Sequence, residues 1–286
     1  MRSGYTKESL TNFSGGICET FNLREKAPED LAEILKRAVE SKSVMTCSIG
    51  KFSDTEDDVV KGLMASQAYS VTSFSKDLVT NKELVVNLIR VRNPWGDMNE
   101  WTGSWKDNGP EWNTLTETQK RELGYEYKAD GEFWMDLKDF VKYFENLYVC
   151  HLDFKTLGLE MPKTKTFAPW HVISIHDSWR ARINAGGSQR FSNTYHMNPQ
   201  YKISIKTDAK NNVILGLLLK ENKKKALRKS DISIYGYDIW KIVKPELENG
   251  KSYLQGQEKV ASNSFDMKKQ FQFSGRHVLS RGDYLY

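Results

Sequence analysis

A run of strand-forming residues, Leu84 to Val91, stops at Arg92-Asn93-Pro94-Trp95-Gly96, and this stop constrains the rest of the chain. Asn-Pro followed by Gly favours a turn, because proline fixes φ and donates nothing to a ladder while Asn and Gly accept the backbone angles of a tight reversal. The segment beyond it is unusually dense in tryptophan: Trp95, Trp101, Trp105 and Trp112 follow in quick succession. The stop also contains parts of a catalytic support. An Asn side chain can orient an imidazole, and a neighbouring Trp can keep water off that hydrogen bond. Taken alone, the stretch reads more simply as turn chemistry, so its surroundings decide.

Upstream lie Gly62-Leu63 and Gln67-Ala68-Tyr69-Ser70-Val71-Thr72. Downstream come Glu100-Trp101-Thr102-Gly103-Ser104-Trp105 with Asp107, then Glu111-Trp112-Asn113, then Asp130-Gly131-Glu132-Phe133-Trp134-Met135. In this order the words resemble the second half of a calpain protease core, from about Phe13 to Asp153. Trp170 to about Tyr201 resembles the start of the C2-like domain that follows that core. The resemblance implies an α+β fold: a papain-like calpain half-core of helices with antiparallel sheet over residues 1–153, a linker over 154–166, and an antiparallel C2-like β-sandwich over 167–286, incomplete at its C-terminus.

Two departures from the family bear on function. The resemblance places a catalytic His immediately before the Ala of the Ala-Tyr-Ser-Val-Thr word, and this chain has Gln67 there. An amide cannot take a proton near neutral pH, so Gln67 fills the space without serving as a general base. The family nucleophile sits in the first half of the core, on a Cys followed by Trp, and that word is absent. Of the expected constellation Asn93 is present, with Trp95 to shield it, and a Gln67–Asn93 amide hydrogen bond is the expected residual contact.

None of the three cysteines supplies a substitute. Cys18, Cys47 and Cys150 precede Glu19, Ser48 and His151, so none stands in a Cys-aromatic word. Cys47 alternates with Met45 and Ile49 on the apolar side of a strand. Cys150 and His151 are adjacent, but neighbours on a strand point to opposite faces. All three read as packing residues.

The resemblance further implies a calcium site. The family's ligands in this half carry over to Glu100, Asp107, Asp130 and Glu132, with the backbone carbonyl of Lys128. Calcium takes about six to eight oxygen ligands, which carboxylates on two loops with carbonyls and water can provide. Each acid taken singly reads better as an exposed loop residue; it is the set of four in the family's words that favours calcium.

The net charge of +5 hides a division: residues from Lys165 onward carry +11 and the rest −6. An acidic front and a basic back can attract one another, and the back can meet anionic surfaces. Much of the excess is Lys223-Lys224-Lys225 with Arg228 and Lys229, which reads first as a solvated loop. The expected partners are proteins, as substrates or regulators, with anionic phospholipid second; nucleic acid and a transmembrane segment are not expected. Unpatterned cysteines and a start without an apolar signal core point to the cytoplasm.

Three readings of function follow. The first is a calpain-like, calcium-binding protein without catalysis. The second is a fragment of a calcium-dependent cysteine endopeptidase of the kind that performs limited proteolysis of intracellular proteins. The third is a calcium-independent scaffold.

Local signals place the elements. After turn-rich residues and Gly15-Gly16, Pro28-Glu29-Asp30 opens a helix whose stripe is Leu31, Ile34, Leu35, Ala38 and Val39. Strands are expected at Val44–Ile49 and Ala68–Ser73, and an exposed acidic loop at Asp54–Asp58. Thr116 with Gln119 forms a capping box for a helix ending at Gly124, and Asp136 caps another whose face is Leu137, Phe140, Val141 and Phe144. Further strands are expected at Trp170–His176, Tyr201–Lys206, Val213–Leu219 and Ile232–Ile242, with an unpaired end from Arg276 to Tyr286. Arg281-Gly282-Asp283 reads as a turn.

Overall fold

Apolar residues at helical spacing, Leu31, Ile34, Leu35 and Ala38, are buried along one face of a helix over Leu31–Glu40. Pro28 lies ahead of its first turn rather than inside it, its carbonyl accepting from the N–H of Leu31 at 3.2 Å. The computed structural model describes residues 6–50, 59–96, 100–154, 157–158, 160, 169–218, 234–243, 257–266 and 272–286. The expected acidic loop at Asp54–Asp58, most of the expected linker and the basic loop around Lys223–Lys229 lie outside them. The chain divides into two units, Met1–Val172 and Ile173–Tyr286.

In the first unit α1 (Thr6–Ser14), β1 (Ile17–Asn22), α2 (Leu23–Lys26) and α3 (Leu31–Glu40) precede β2 (Val44–Ser48), β3 (Val59–Val60) and β4 (Leu63–Met64). Then come β5 (Ala68–Val79), β6 (Val85–Arg92), α4 (Glu117–Leu123), β7 (Glu132–Asp136), α5 (Leu137–Tyr143) and β8 (Asn146–His151). α1 and β1 occupy residues expected to be turns. Thr116 and Gln119 make the reciprocal capping box at the head of α4, whose end passes through Gly124 at φ +65°. Asp136 caps α5 by accepting from the N–H of Lys138 at 2.8 Å.

Six strands form one antiparallel sheet in the order β1-β8-β2-β5-β6-β7. Alternation along β6 and β7 separates its two faces. Ile89, Val91, Phe133 and Met135 join the main core with Leu35, Tyr69, Phe140 and Phe144. Leu88 and Trp134 point the other way and are covered by Trp105, Trp112 and Leu115. The tryptophan-dense segment is therefore a second layer: Trp112 meets Trp105 edge-on at 5.2 Å and stacks on Tyr125 at 3.7 Å. Aromatic pairs of these kinds contribute roughly 0.5–1.5 kcal/mol each beyond their buried area.

The second unit contains β9 (Lys202–Ile205), β10 (Asn211–Leu218), β11 (Ile234–Lys241), β12 (Glu258–Asp266), β13 (Gln272–Leu279) and β14 (Gly282–Leu285). They form a four-stranded sheet, β12-β11-β14-β9, and a two-stranded one, β10-β13. Leu215 and Leu279 from the smaller sheet pack with Ile239 and Tyr284 from the larger, which is the core of a β-sandwich. The stretch Trp170–His176 is not a strand. Instead Trp170 belongs to the first unit, its indole donating to Ser41 Oγ at 3.2 Å. The C-terminal residues are paired, since β14 joins both β9 and β11. Of Arg281-Gly282-Asp283, expected as a turn, only Arg281 precedes β14, bonded to Asp208 at 3.2 Å; Gly282 and Asp283 open the strand itself, opposite Ile205 and Ser204.

Candidate functional site

β5 and β6 run antiparallel with Ser70 opposite Arg92, so the entrance of one strand and the exit of the other lie side by side. Gln67 stands at that entrance and is half-buried; Asn93, just beyond β6, is fully buried. The expected amide pair is not what links them. Gln67 Oε1 accepts from the Trp95 indole Nε1 at 3.2 Å, while Asn93 Oδ1 accepts from the Trp95 backbone N–H at 3.1 Å. Pro94 explains the second contact, because an Asn two residues before a backbone N–H closes an Asx turn across it. Trp95 is 67% exposed, so its ring bridges to Gln67 at the surface rather than roofing a buried bond.

The acidic words reach this corner through backbone contacts that only glycine permits. The Asn93 N–H donates to the Gly131 carbonyl at 2.8 Å. Gly131, at φ +80°, is so close that a Cβ would meet the Asn93 carbonyl at 3.1 Å. Gly62, at φ +81°, lies against Glu100, where a Cβ would approach the Glu100 carbonyl oxygen to 1.8 Å. The Gly-Leu word thus holds the Glu100 loop, which in turn holds the Asp130-Gly131-Glu132 loop through Gly131 N–H to Glu100 Oε1 at 2.9 Å.

A pocket of about 270 Å³ opens beside these loops, lined in part by Asp107, Glu126, Lys128, Asp130 and Glu132, with Arg90 and Trp134 behind. Of the five expected ligand positions, Asp107, Lys128, Asp130 and Glu132 line it. Glu100 is not in its lining but acts electrostatically on Asp107. Glu126 was not singled out from the sequence; its spacing of two from Lys128 and four from Asp130 on an extended loop is the signal that could have found it. Its carboxylate pairs with the Lys128 ammonium.

The acids differ in how well they are satisfied. Glu132 Oε1 accepts from Thr72 Oγ1 at 2.6 Å and sits 3.4 Å from Arg90 Nε. Asp130 Oδ1 accepts from the Glu132 N–H at 3.0 Å. Asp107 is the least satisfied: among the described residues its Oδ2 is buried without a hydrogen-bond partner. Burial first, and then the charge of Glu100, push its carboxyl up to about 6, although the Lys128 N–H bonds to it. Burial likewise raises Glu100, with the charge of Asp130 adding to it and backbone N–H donors opposing. Among the described residues no three acidic, imidazole or thiol side chains stand close enough together to hold a metal ion without movement.

The cysteines lie elsewhere, each fully buried. Cys47 is in the main core, and burial raises its thiol well above the usual range. Cys150 packs with Cys18 and Leu152, whereas His151 turns to the other side of β8, its Nε2 2.6 Å from Glu19 Oε2 and its Nδ1 3.0 Å from Ser43 Oγ. Adjacency in sequence therefore makes no Cys150–His151 dyad. Sequence reasoning did not foresee the buried Glu19–His151–Ser43 chain, because its members are far apart in sequence.

Two family models match the chain. The calpain family cysteine protease model covers residues 1–151, and the calpain large subunit domain III model covers residues 175–286. Calpain-A of Drosophila melanogaster is 34% identical over 258 residues, which are 87% of this chain and 31% of that protein. The human calpain-2 catalytic subunit is 33% identical over 262 residues, 88% of this chain and 36% of that protein. The chain spans about a third of the length of these curated relatives.

Proposed function

Because this chain belongs to the calpain family of cysteine proteases, we propose that it is a calcium-responsive half of a calpain core, without peptidase activity of its own, joined to a C2-like contact domain. One observation carries the calcium part. Asp107 holds a buried carboxylate oxygen without a hydrogen-bond partner among the described residues, beside a pocket lined by further acids, and its carboxyl is pushed up by burial and by Glu100. A site with unmet negative charge and oxygen donors suits a hard divalent cation. Asp107, Asp130 and Glu132, with Glu100 and the Lys128 carbonyl, would hold it. When bound, calcium supplies the positive charge that these acids lack. Because no three of them stand together, binding requires the two loops to draw in.

The absence of catalysis rests on Gln67 and on the thiols. An amide at the base position cannot take the proton of a nucleophile. Cys18, Cys47 and Cys150 are each enclosed, and none is bonded to an imidazole base in its described contacts. For the second unit we propose contacts with protein partners, for which the basic charge beyond Lys165 suits acidic surfaces; binding to anionic vesicles instead would redirect that assignment.

A calorimetric calcium titration of the whole chain tests the reading, with Asp130→Asn and Asp107→Asn beside it. Saturable binding in roughly the micromolar to millimolar range, weakened by both substitutions, is expected. No heat and no shift in melting temperature would leave a calcium-independent scaffold. The second reading, part of a calcium-dependent endopeptidase, is favoured by the intact Asn93 turn. It predicts that adding a Cys-bearing first half restores peptide hydrolysis to this chain; our reading expects none unless Gln67 is replaced by His.

A further inference from the structure

The β1–β8 ribbon carries a pair of nucleophilic side chains that the acidic pocket does not use. Antiparallel pairing sets Cys18 directly opposite Cys150. Directly opposed residues place their side chains on one face with Cα atoms roughly 4.5 or 5.5 Å apart, according to the type of pair. Both separations fall inside the roughly 4.4–6.8 Å span of a disulfide. Ser14 Oγ lies 3.3 Å from Cys150 Sγ, and Cys18 Sγ donates to the Glu19 backbone carbonyl at 3.7 Å.

Alternation turns the Glu19 and His151 side chains to the other face, where they bond to each other, and the Cys18 contact with Glu19 is to its backbone carbonyl. The cover is thin. Leu10 of α1 packs over the thiols with Leu152, Phe154 and Leu157, yet Thr11 is the only residue that α1 buries, and its Phe13 is 90% exposed. A short helix with so little buried surface opens locally far more readily than the sheet beneath it. Gly16 completes the closure, as a Cβ there would meet Cys150 Sγ at 2.9 Å.

We infer that Cys18 and Cys150 are a dithiol–disulfide couple, a modification site for peroxide-class oxidants to which access is gated by α1. Cys150 is the attacking sulfur. Ser14 Oγ, 3.3 Å away, can donate to its thiolate, and the interaction with Cys18, with Ser14 adding to it, lowers the Cys150 thiol against the upward push of burial while the same pairing and burial raise Cys18. The thiolate attacks one peroxide oxygen, forming an S–O bond as the O–O bond breaks. Hydroxide leaves and takes a proton, giving sulfenic acid and water. Cys18 sulfur then attacks the Cys150 sulfur, the S–O bond breaks, and the Cys18 proton departs with the hydroxyl as a second water. Two thiols are oxidised and one peroxide is reduced.

The test is peptide mapping of the whole chain, without reductant, after exposure to hydrogen peroxide at neutral pH. The expected product is a cross-link between the peptides bearing Cys18 and Cys150, reversed by dithiothreitol, with Cys47 unmodified. Cys18→Ser should stop the reaction at a dimedone-reactive Cys150, and Leu10→Ala, which thins the α1 cover, should speed cross-linking roughly tenfold. Sulfinic acid on Cys150 with Cys18 intact, or a cross-link that forms only in denaturant, would overturn the couple. An unchanged rate in Leu10→Ala would overturn the gate. The unsubstituted chain carries the central result, so a variant that fails to fold does not remove it.

Discussion

Around Asn93 the polar groups are neutral and mutually satisfied: an amide at Gln67, an amide at Asn93, and one indole and one backbone N–H from Trp95 between them. Around Asp107, a short distance along the same loops, the groups are anionic and crowded, and one buried oxygen has no partner among the described residues. The first region is a set of neutral groups, none of which takes a proton near neutral pH. The second keeps, at Asp107, a buried carboxylate oxygen that no described residue bonds, although Arg90 and Lys128 pair with neighbouring acids. The difference teaches where to look for function, because a satisfied network stabilises the fold and asks for nothing further, whereas an unsatisfied one lowers stability until a ligand completes it.

The largest effect should come from the glycine that joins the two regions. Gly62→Ala sets a side chain at φ +81° against the Glu100 carbonyl, and should lower unfolding free energy by about 3 kcal/mol in urea titration while weakening calcium binding. Asn93→Ala removes a fully buried amide and the acceptor of the Trp95 N–H; a loss of about 1–3 kcal/mol is expected, with calcium affinity unchanged. That pair of results would separate the regions. Equal loss of calcium affinity in Asn93→Ala would merge them.

Asp107→Asn should act in the opposite sense on stability. Its folded carboxyl titrates near 6 against an ordinary 3.8, so between those values the folded chain binds more protons than the unfolded one, and stability falls as pH rises. In chelator, melting curves from pH 4 to 7 should show this decline in the parent chain and a flatter profile in Asp107→Asn. The same variant should lose at least roughly tenfold in calcium affinity. The smallest effect is expected for Gln67→His. This half-buried position should change stability by less than about 0.5 kcal/mol and give the isolated chain no peptidase activity.

Local chemistry was legible residue by residue. The Thr116–Gln119 box, the Asp136 cap, the Leu31–Ala38 stripe and the strands β5 and β6 all depend on neighbours within a few positions, and the structure has each. Where reasoning from the chain missed, the cause was distance or a rival local signal. Gly15-Gly16 suggested turns and hid α1, although Gly15 is simply the left-handed residue that ends it. Trp170 looked like the first strand of the sandwich, but its indole found Ser41 and its ring found His151 at 4.6 Å. Gln67 was expected to meet Asn93 and met the indole of Trp95.

The amino-acid sequence by itself determined what can be read from side-chain identity and short spacing: an amide at Gln67, three cysteines none of which precedes an aromatic residue, glycine at Gly62 and Gly131, and acids in the words that surround them. Tertiary structure alone decided which acid is left unsatisfied, which thiols face each other, and which imidazole is paired. Those outcomes depend on strand register and loop closure between residues such as Cys18 and Cys150 or Glu19 and His151. Contacts at that separation follow from the burial of the whole sheet, and no local pattern specifies them.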